Sequence, residues 1–207
     1  MTEPAAEIEG EDFSDVEWSD REIVGQSYVD CTFRDAGFAD SVVRSCSFTG
    51  CDFTGADLSR ARIEATALLG CTFERSGLRG STLVGCKLTG SVFVDCRHVP
   101  WTLQDCDLTL VSLGGATLTG IDLSGQRLRG VNLTEADLTG ADLRGADLSD
   151  ARMLGARLDR ADLRGAILDA GVWESAHFAG ARIDIDGAVH FAAAHGLIFG
   201  DPADDES

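Results

Sequence analysis

The sequence predicts an all-β solenoid with four sides to each coil, and three observations lead to this fold class. Bulky apolar residues recur at every fifth position through most of the 207 residues. A small residue nearly always stands two positions before each of them, and glycine often stands two positions after. Phenylalanine also recurs at a spacing of 20 residues. Neither an α-helix nor an alternating β-strand produces a strict period of five.

The five-residue period runs without an insertion from Phe13 to Ile183, which makes 35 consecutive pentads. A bulky apolar residue occupies the central position in 34 of them, and His98 is the exception. Residues 135–169 show the pattern at its most regular, as EADLTGADLRGADLSDARMLGARLDRADLRGAILD. Such a repeat indicates stacked units that bury their apolar faces only against neighbouring units.

The position two before each centre carries small side chains. It holds alanine in seven successive pentads from Ala136 to Ala166, and it also holds all seven cysteines. Disulfides or zinc sites would place cysteines by bonding geometry, without regard to a five-residue phase. Because a free cysteine packs as a small hydrophobe, we interpret them as buried packing residues. These cysteines are Cys31, Cys46, Cys51, Cys71, Cys86, Cys96 and Cys106.

The aromatic residues indicate the length of the coil. Phenylalanines spaced by 20 residues would stack in one column if four pentads made one coil, with one pentad on each side of a quadrilateral. The 35 pentads then make nearly nine coils, which hydrogen-bond at the ~4.8 Å spacing of neighbouring strands. The residues of this column are Phe13, Phe33, Phe53, Phe73 and Phe93.

The pentads ADLTG (136–140) and ADLRG (141–145) show the consensus of the repeat. This consensus resembles the pentapeptide-repeat family, and the resemblance covers residues 13–185. It implies a right-handed quadrilateral β-helix.

Three longer stretches resemble the fluoroquinolone-resistance members of that family, namely the mycobacterial protein and the plasmid-borne Qnr proteins. They are GSVFVDCR (90–97), LDRADLRGA (158–166) and ARIDIDGAVHFAAAHGL (181–197). This resemblance implies a homodimeric rod that binds DNA gyrase, imitates duplex DNA in shape and charge, and lowers quinolone toxicity. Relative to the mycobacterial protein, residues 1–25 form an acidic N-terminal extension.

We therefore divide the chain into four segments. Residues 1–12 are predicted to be a disordered acidic tail, and residues 13–185 form the pentapeptide-repeat β-helix. Residues 186–199 are predicted to be a helical segment that forms a dimer, and residues 200–207 a second disordered acidic tail.

The stretch CRHVPWTL (96–103) departs from the repeat. His98 takes the centre, Pro100 the turn and Trp101 the small position. Tryptophan does not fit where alanine or cysteine packs without local distortion, so we expect a bulge or kink that ends by Leu103. A tolerated irregularity is the simpler interpretation, and a functional hinge is the alternative.

The period ends after Ile183, where a helix is predicted with Asp186 as its N-cap and Gly196 as its stop. An open solenoid end exposes unpaired strand edges, so something must cover it. The helix either caps its own chain or forms a two-fold dimer contact, and the resemblance favours the dimer. The predicted interface residues are Val189, Phe191, Ala192, Leu197 and Ile198.

The formal net charge of −18 disfavours direct binding to DNA, RNA or an anionic membrane surface. Residues 1–29 carry −8, residues 30–103 carry zero, residues 104–186 carry −6 and residues 187–207 carry −4. The acid therefore lies towards the two ends of the chain. A dimer through the C-terminal ends would bring two acidic segments together.

A 20-residue coil aligns Asp122, Asp142 and Asp162 in one column, with Arg144 and Arg164 nearby on the same side. Short aspartate side chains bond backbone groups in turns, so these residues serve a turn, a basic partner or both. From the resemblance we expect an acidic, DNA-like surface for gyrase. Its predicted residues are Asp122, Asp137, Asp142, Asp147, Asp150, Asp159 and Asp162.

The sequence shows no arrangement of residues for catalysis. GSTLVGCK (80–87) approaches the phosphate-binding loop pattern, but Cys86 stands where that motif requires lysine. His190 and His195 have no cysteine or carboxylate pair to complete a metal site. We expect a protein that is not an enzyme and has no cofactor and no metal.

We expect a cytoplasmic protein with no membrane partner. The chain has no apolar run of the ~20 residues needed to span a bilayer, and its N-terminus lacks the basic and apolar regions of a secretory signal. Two alternatives to a gyrase-directed resistance protein stay open. One is a self-immunity factor against a gyrase-targeting natural product, and the other is a scaffold protein with no topoisomerase partner.

Overall fold

The computed structural model describes residues 7–96 and 101–198, which form a parallel β-solenoid followed by a short helix. Strands that pair with each other lie 20 residues apart along the chain. Ile8, Tyr28, Phe48 and Leu68 thus follow one another in register on one face. A coil therefore contains four pentads, and the predicted quadrilateral β-solenoid is confirmed.

Regular secondary structure in the described residues consists of three-residue strands and two helices. The strands β1–β11 are Glu7–Glu9, Glu22–Val24, Ser27–Val29, Val42–Arg44, Ser47–Thr49, Arg62–Glu64, Ala67–Leu69, Thr72–Glu74, Thr82–Val84, Val92–Val94 and Thr102–Gln104. The helices are α1, Ala170–Ser175, and α2, Ile185–Ala194. The other coil sides are joined by single parallel bridges, as between Asp122 and Asp142.

The chain turns a corner once per pentad, two residues after each centre. The corner residues have positive φ, for example 69° at Gly140 and 65° at Gly145. Glycine adopts this conformation freely because it has no Cβ, which explains its fixed phase in the sequence. Other residues are held in the same conformation at some corners, including Asp15 at 57° and Leu110 at 60°.

Two residues of each pentad fill the core, as predicted. Both the central Leu138 and the small Ala136 are fully buried. The predicted phenylalanine column is present, with the rings of Phe53 and Phe73 stacked 4.9 Å apart and tilted by 5°. Removal of this apolar surface from water stabilises each coil only against its neighbours.

The cysteines are free, and all but the half-buried Cys96 are buried. Their thiols contact carbonyl oxygens of the preceding coil, at 3.4 Å from Cys106 Sγ to Leu83 O and 3.3 Å from Cys86 Sγ to Ile63 O. The interpretation of the cysteines as packing residues is confirmed.

The solenoid begins before Phe13. Strand β1 pairs with β3, and Ile8 lies opposite Tyr28. The prediction of a disordered tail over residues 1–12 is therefore wrong for residues 7–12, while residues 1–6 lie outside the described residues. The signal was present in the sequence, because Ile8 stands five residues before Phe13 and continues the apolar period.

One pentad of the predicted β-helix is helical instead. Helix α1 includes Trp173, the central residue of its pentad, which is buried. The N–H of Gly155 bonds the carbonyl of Ser175 at 2.9 Å, one residue later than the coil register requires. The prediction of an unbroken β-helix through 185 is wrong here, because a buried centre every five residues is compatible with a single helical turn.

Helix α2 closes the described chain. Its N-cap is Asp184, whose carboxylate accepts a hydrogen bond from Gly187 N–H at 2.8 Å. The prediction of Asp186 as N-cap is wrong, because that residue already lies in the first helical turn. Gly196, with φ of 78°, follows the helix as predicted. The helix is shorter than the predicted 186–199, and residues 199–207 lie outside the described residues.

The irregular stretch is described only at its edges, since His98 and Pro100 lie outside the described residues. Trp101 is buried in the small position, with its ring 5.1 Å from that of Phe93. Strand β11 follows directly, and Leu103 pairs in register with Leu83. The phase is thus recovered at Leu103, as predicted.

Candidate functional site

An aspartate that directly precedes the central apolar residue of a pentad stabilises the turn that follows it. Asp147 Oδ1 accepts a hydrogen bond from Ser149 N–H at 3.0 Å, and Asp137 Oδ1 accepts one from Thr139 N–H at the same distance. A short side chain that bonds the backbone two residues later is characteristic of turns. The same bond is made by Asp12, Asp52, Asp57, Asp107, Asp122, Asp142 and Asp162.

The predicted column of carboxylates is present. Asp122 bridges Asp142, and Asp142 bridges Asp162, each in parallel register. The three side chains therefore lie on one face in successive coils.

The members of this column differ in their neighbours. Arg144 lies 2.5 Å from Asp142, and Arg164 lies 2.6 Å from Asp162. Asp122 instead accepts a hydrogen bond from the Ser124 hydroxyl at 2.7 Å.

Hydrogen bonds keep the carboxylates of Asp142, Asp147 and Asp162 ionised. The Arg164 guanidinium lowers the pKa of Asp162 to about 2. Hydrogen bonds from Arg144 also lower the pKa of Asp142, and those from Ser149 lower the pKa of Asp147. These side chains carry their full negative charge at neutral pH.

Basic residues offset much of the predicted acidic surface. Arg129 lies 3.0 Å from Asp150, and Arg157 lies 3.6 Å from Asp159 and 3.9 Å from Asp137. Exposed pairs of this kind contribute little stability, but they reduce the negative potential offered to a partner. Among the described residues, Asp122 and Asp147 are the two predicted site residues with no basic side chain within 4 Å of the carboxylate.

The first coils carry a denser acidic surface that sequence reasoning assigned partly to a tail. Residues 7–35 contain ten acidic and two basic residues, a net charge of −8. Glu22 pairs with Arg44, whereas the other nine have no basic side chain within 4 Å among the described residues. These nine, called here the N-terminal acidic surface, are Glu7, Glu9, Glu11, Asp12, Asp15, Glu17, Asp20, Asp30 and Asp35.

The charge density of this surface exceeds that of DNA. Residues 7–35 make about one and a half coils of 20 residues, or roughly 7 Å of rod at the ~4.8 Å strand spacing. Duplex DNA carries one charge per ~1.7 Å, or about four over that length. The signal available from the sequence was the in-phase Ile8, which places residues 7–12 on the rod.

Helix α2 packs against α1 on one side, and apolar side chains on the helix and just after it are exposed. Phe191 packs edge-on against Trp173, with ring centroids 5.8 Å apart. The predicted interface residues Val189, Leu197 and Ile198 are 41%, 63% and 95% exposed. Phe191 is exposed at its outer side and Ala192 is half-buried. All five therefore lie at the C-terminal end.

The described residues were also compared with the requirements of a metal or catalytic site. Across residues 7–96 and 101–198, no group of three His, Cys, Asp or Glu side chains is placed to hold a metal ion. His190 and His195 lie on and just after α2. No helix in this part of the chain is long and apolar enough to cross a bilayer.

Comparisons with solved structures agree with this architecture. Two trypsin-treated variants of QnrB1, a plasmid-mediated fluoroquinolone resistance protein, superpose with TM-scores of 0.81 and 0.78. Each is 20% identical, and the match covers 95% of this chain and 98% of that chain. Full-length QnrB1 superposes with a TM-score of 0.59 at 19% identity, over 93% of this chain and 98% of that one.

No curated protein matches the sequence significantly. The family model described as pentapeptide repeats matches in eight copies, with matched residues 29–64, 56–93, 106–145, 127–165 and 141–172. These spans merge into two blocks that together contain well over half of the chain. The protein belongs to the pentapeptide-repeat family.

Proposed function

We propose that this protein is a non-enzymatic mimic of duplex DNA that binds DNA gyrase, modulates or inhibits it, and protects it from fluoroquinolones. The observation that carries the proposal is the row of ionised carboxylates fixed on a rigid rod. A surface that binds DNA is basic, and complementary charge favours fast, specific association. The likeness in fold to QnrB1, named a fluoroquinolone resistance protein, supports the choice of partner.

Two acidic regions are candidates for the contact. The C-terminal coils carry the predicted aspartates, several of them paired with arginine. The N-terminal acidic surface carries more net charge in a shorter length of rod. We propose that both contribute, and that the N-terminal surface supplies the larger share of the electrostatic attraction.

We also propose a homodimer through the C-terminal end. Val189, Leu197 and Ile198 form an exposed apolar surface beside the last coil, and a two-fold axis there would bury it against its own copy. Val189→Asp combined with Leu197→Asp should convert the dimer to a monomer in analytical ultracentrifugation. Val24→Asp is the matched control, because Val24 is a similarly exposed valine far from this end. A dimer that persists in the double variant contradicts this interface.

The decisive experiment is a gyrase supercoiling assay, run with and without a fluoroquinolone, in the presence of increasing amounts of the purified protein. We expect inhibition of supercoiling and fewer drug-stabilised DNA breaks. Both effects should weaken as salt rises, because salt screens exposed charges. A folded dimer that neither binds gyrase nor alters either reaction would contradict the proposal. Such a result would favour a scaffold role.

Charge-neutralising variants separate the two acidic regions. One variant combines Glu11→Gln, Asp15→Asn and Asp20→Asn, and its counterpart combines Asp122→Asn and Asp147→Asn. Asparagine still tolerates positive φ and still bonds the turn, so both variants should fold. We expect the first to weaken gyrase binding by about tenfold and the second by less. An equal or reversed effect would assign the main contact to the C-terminal coils.

Gyrase acts on chromosomal DNA, so this function places the protein in the cytoplasm. A resistance protein and a self-immunity factor against a gyrase-targeting natural product would share the same biochemistry. Genes for the synthesis of such a product beside this one would favour self-immunity.

A further inference from the structure

The coil stack is interrupted on one face, directly above strand β11. The N–H of Thr102 donates to the carbonyl of Ser81 in the coil below, at 2.9 Å. In the regular stack, Leu103 N–H would donate to Asp122 O, and Asp122 N–H to Trp101 O. Neither bond forms within the described residues, and Thr102 makes no bridge to Asp122 there. Two strand edges therefore face each other without pairing.

The following faces of the same coils remain bonded. Leu108 N–H donates to Arg127 O at 2.9 Å, and Leu113 N–H donates to Asn132 O at 2.8 Å. On the preceding side, the regular bonds from Asp95 N–H to Gly114 O and from Thr117 N–H to Cys96 O are also absent among the described residues. The coils are therefore hinged together on the following faces and open on the face above β11. We call this opening the coil gap.

Two oversized side chains explain the coil gap. The small position of this column holds Trp101 in one coil and Ile121 in the next. Each is too large for a position that accepts one or two heavy atoms, and overpacking forces neighbouring backbone apart. Ile121 is accordingly left half-buried. On either side of these two, the same position holds small residues that are buried, namely Ser41, Ala61, Ser81, Ala141 and Ala161.

Gln126 bridges the corner beside the coil gap. Its carboxamide oxygen accepts a hydrogen bond from Cys106 N–H at 2.9 Å, and its nitrogen donates to Leu103 O at 3.3 Å. In another column Ser91 occupies the same position and donates to Leu68 O at 2.7 Å. Because a glutamine side chain is longer than a serine side chain, Gln126 can bond the backbone groups of Leu103 and Cys106 where the coils stand further apart.

The coil gap opens into a cleft of about 560 Å³, lined by residues 101–104 and 117–122. This volume is in the range of ligand-binding pockets. Leu103 and Leu118 supply buried apolar surface, and the threonines of both segments are exposed at the rim. The carboxylate of Asp122 also lies at the rim, without a basic side chain within 4 Å among the described residues.

We propose that the coil gap binds an extended, basic peptide segment of a partner protein as an added β-strand. The open backbone groups of Leu103 and Asp122 supply strand pairing, which is how peptides join exposed sheet edges. Apolar side chains on one face of the peptide contact Leu118, while lysine or arginine on the other face meets Asp122. This site shares Asp122 with the proposed gyrase surface, but its strand pairing uses backbone groups of Leu103 and Asp122 that the gyrase proposal does not invoke.

The test uses a variant with the small positions restored, Trp101→Ala combined with Ile121→Ala. Closing the gap should re-form the missing bonds and slow hydrogen exchange at the amides of Leu103 and Asp122 by about tenfold or more. The single variant Ile121→Ala provides a milder closure if the double variant does not fold. Val131→Ala is the control, because Val131 is a buried apolar residue at the small position of a column whose coils are bonded.

The probe is a phage-displayed library of random twelve-residue peptides, selected on the full chain and counter-selected on the closed variant. We expect peptides with alternating apolar residues and at least one lysine or arginine. They should bind the closed variant and Asp122→Asn about tenfold more weakly than the unmodified chain. Bound peptide should also protect the amides of Leu103 and Asp122 from exchange.

Three results would overturn the proposal. The first is a selection that yields no peptide able to distinguish the open chain from the closed variant. The second is bound peptide that leaves the amides of Leu103 and Asp122 unprotected, which would indicate a cleft for side chains or small molecules. The third is exchange at these amides that is already as slow as in regular rungs such as Leu123, which would show that the gap is closed in solution.

Discussion

Asp142 lies directly above Asp122 in the coil stack, but only Asp142 is paired with an arginine. Arg144 lies 2.5 Å from the Asp142 carboxylate, whereas the Ser124 hydroxyl lies 2.7 Å from Asp122. Both carboxylates bond the N–H two residues later and hold the same turn. The residue after the leucine therefore decides how much negative potential each turn presents.

This relationship predicts that removal of the arginine strengthens gyrase binding. Arg144→Ser combined with Arg164→Ser leaves both turns in the arrangement seen at Asp122 and makes the rod more negative by two charges. We expect affinity for gyrase to rise several-fold at low salt, measured by surface plasmon resonance. The control is lysine at both positions, which should leave affinity unchanged. Weaker binding of the serine variant would indicate that the arginines contact the partner.

The phenylalanine column is predicted to contribute strongly to stability. Phe53 is buried between Phe33 and Phe73, with ring centroids 5.0 and 4.9 Å away. Phe53→Ala should reduce the free energy of unfolding by about 3–5 kcal/mol, because it leaves a cavity in a stack that cannot collapse sideways. Guanidinium titration measures the loss, and Phe53→Leu should cost less. A loss below about 1 kcal/mol for the alanine variant would contradict tight stacking.

Leu110 is predicted to be a strained corner. Its φ is 60°, and its side chain is 62% exposed. Leu110→Gly should raise the free energy of unfolding by about 1 kcal/mol. The reason is that a left-handed backbone conformation is unfavourable for an L-residue and not for glycine. Gly140→Val at the equivalent corner, where φ is 69°, should lower the free energy of unfolding. Thermal unfolding followed by circular dichroism measures the stability of both variants. If both substitutions changed the stability in the same direction, backbone strain at the corner would not be the cause.

The turn aspartates predict a loss of stability in acid. The folded pKa values of Asp142, Asp147 and Asp162 lie below the unfolded value, and hydrogen bonds with Arg164 lower that of Asp162 to about 2. The unfolded chain therefore binds protons first as pH falls. The contribution of these ionised aspartates to the free energy of unfolding is complete above about pH 4, and it is lost as the pH falls towards about 2. Guanidinium titrations across this range measure the effect, which should be smaller in Asp162→Asn; an equal pH dependence in that variant would contradict the assignment.

Most of the fold was predictable because each five-residue repeat contains the residues that determine its own conformation. Each pentad carries its own large centre, small neighbour and corner, so the phase could be read without knowledge of distant contacts. The 20-residue spacing of Phe33, Phe53 and Phe73 then supplied the coil length. These are properties of a chain in which every unit meets only its neighbours.

The errors arose where the same local pattern fits two structures. Trp173 continues the apolar phase, but its pentad is the helix α1. Asp184 and Asp186 both have the side chain of an N-cap, and only the backbone conformation at Asp184 decides between them. The start of the rod at Glu7 was readable from Ile8, and was missed because the acidic composition there is also typical of a disordered tail.

By itself, the sequence determined the quadrilateral coil, the burial of the cysteines and the alignment of Asp122, Asp142 and Asp162. Only the tertiary structure decided which carboxylates are offset by arginine and which strand edges stay open. The repeat places residues 20 apart in register, but Trp101 beneath Ile121 separates two coils that the pattern alone would pair. A periodic pattern specifies average neighbours, whereas packing volume decides whether each pair of neighbours can meet.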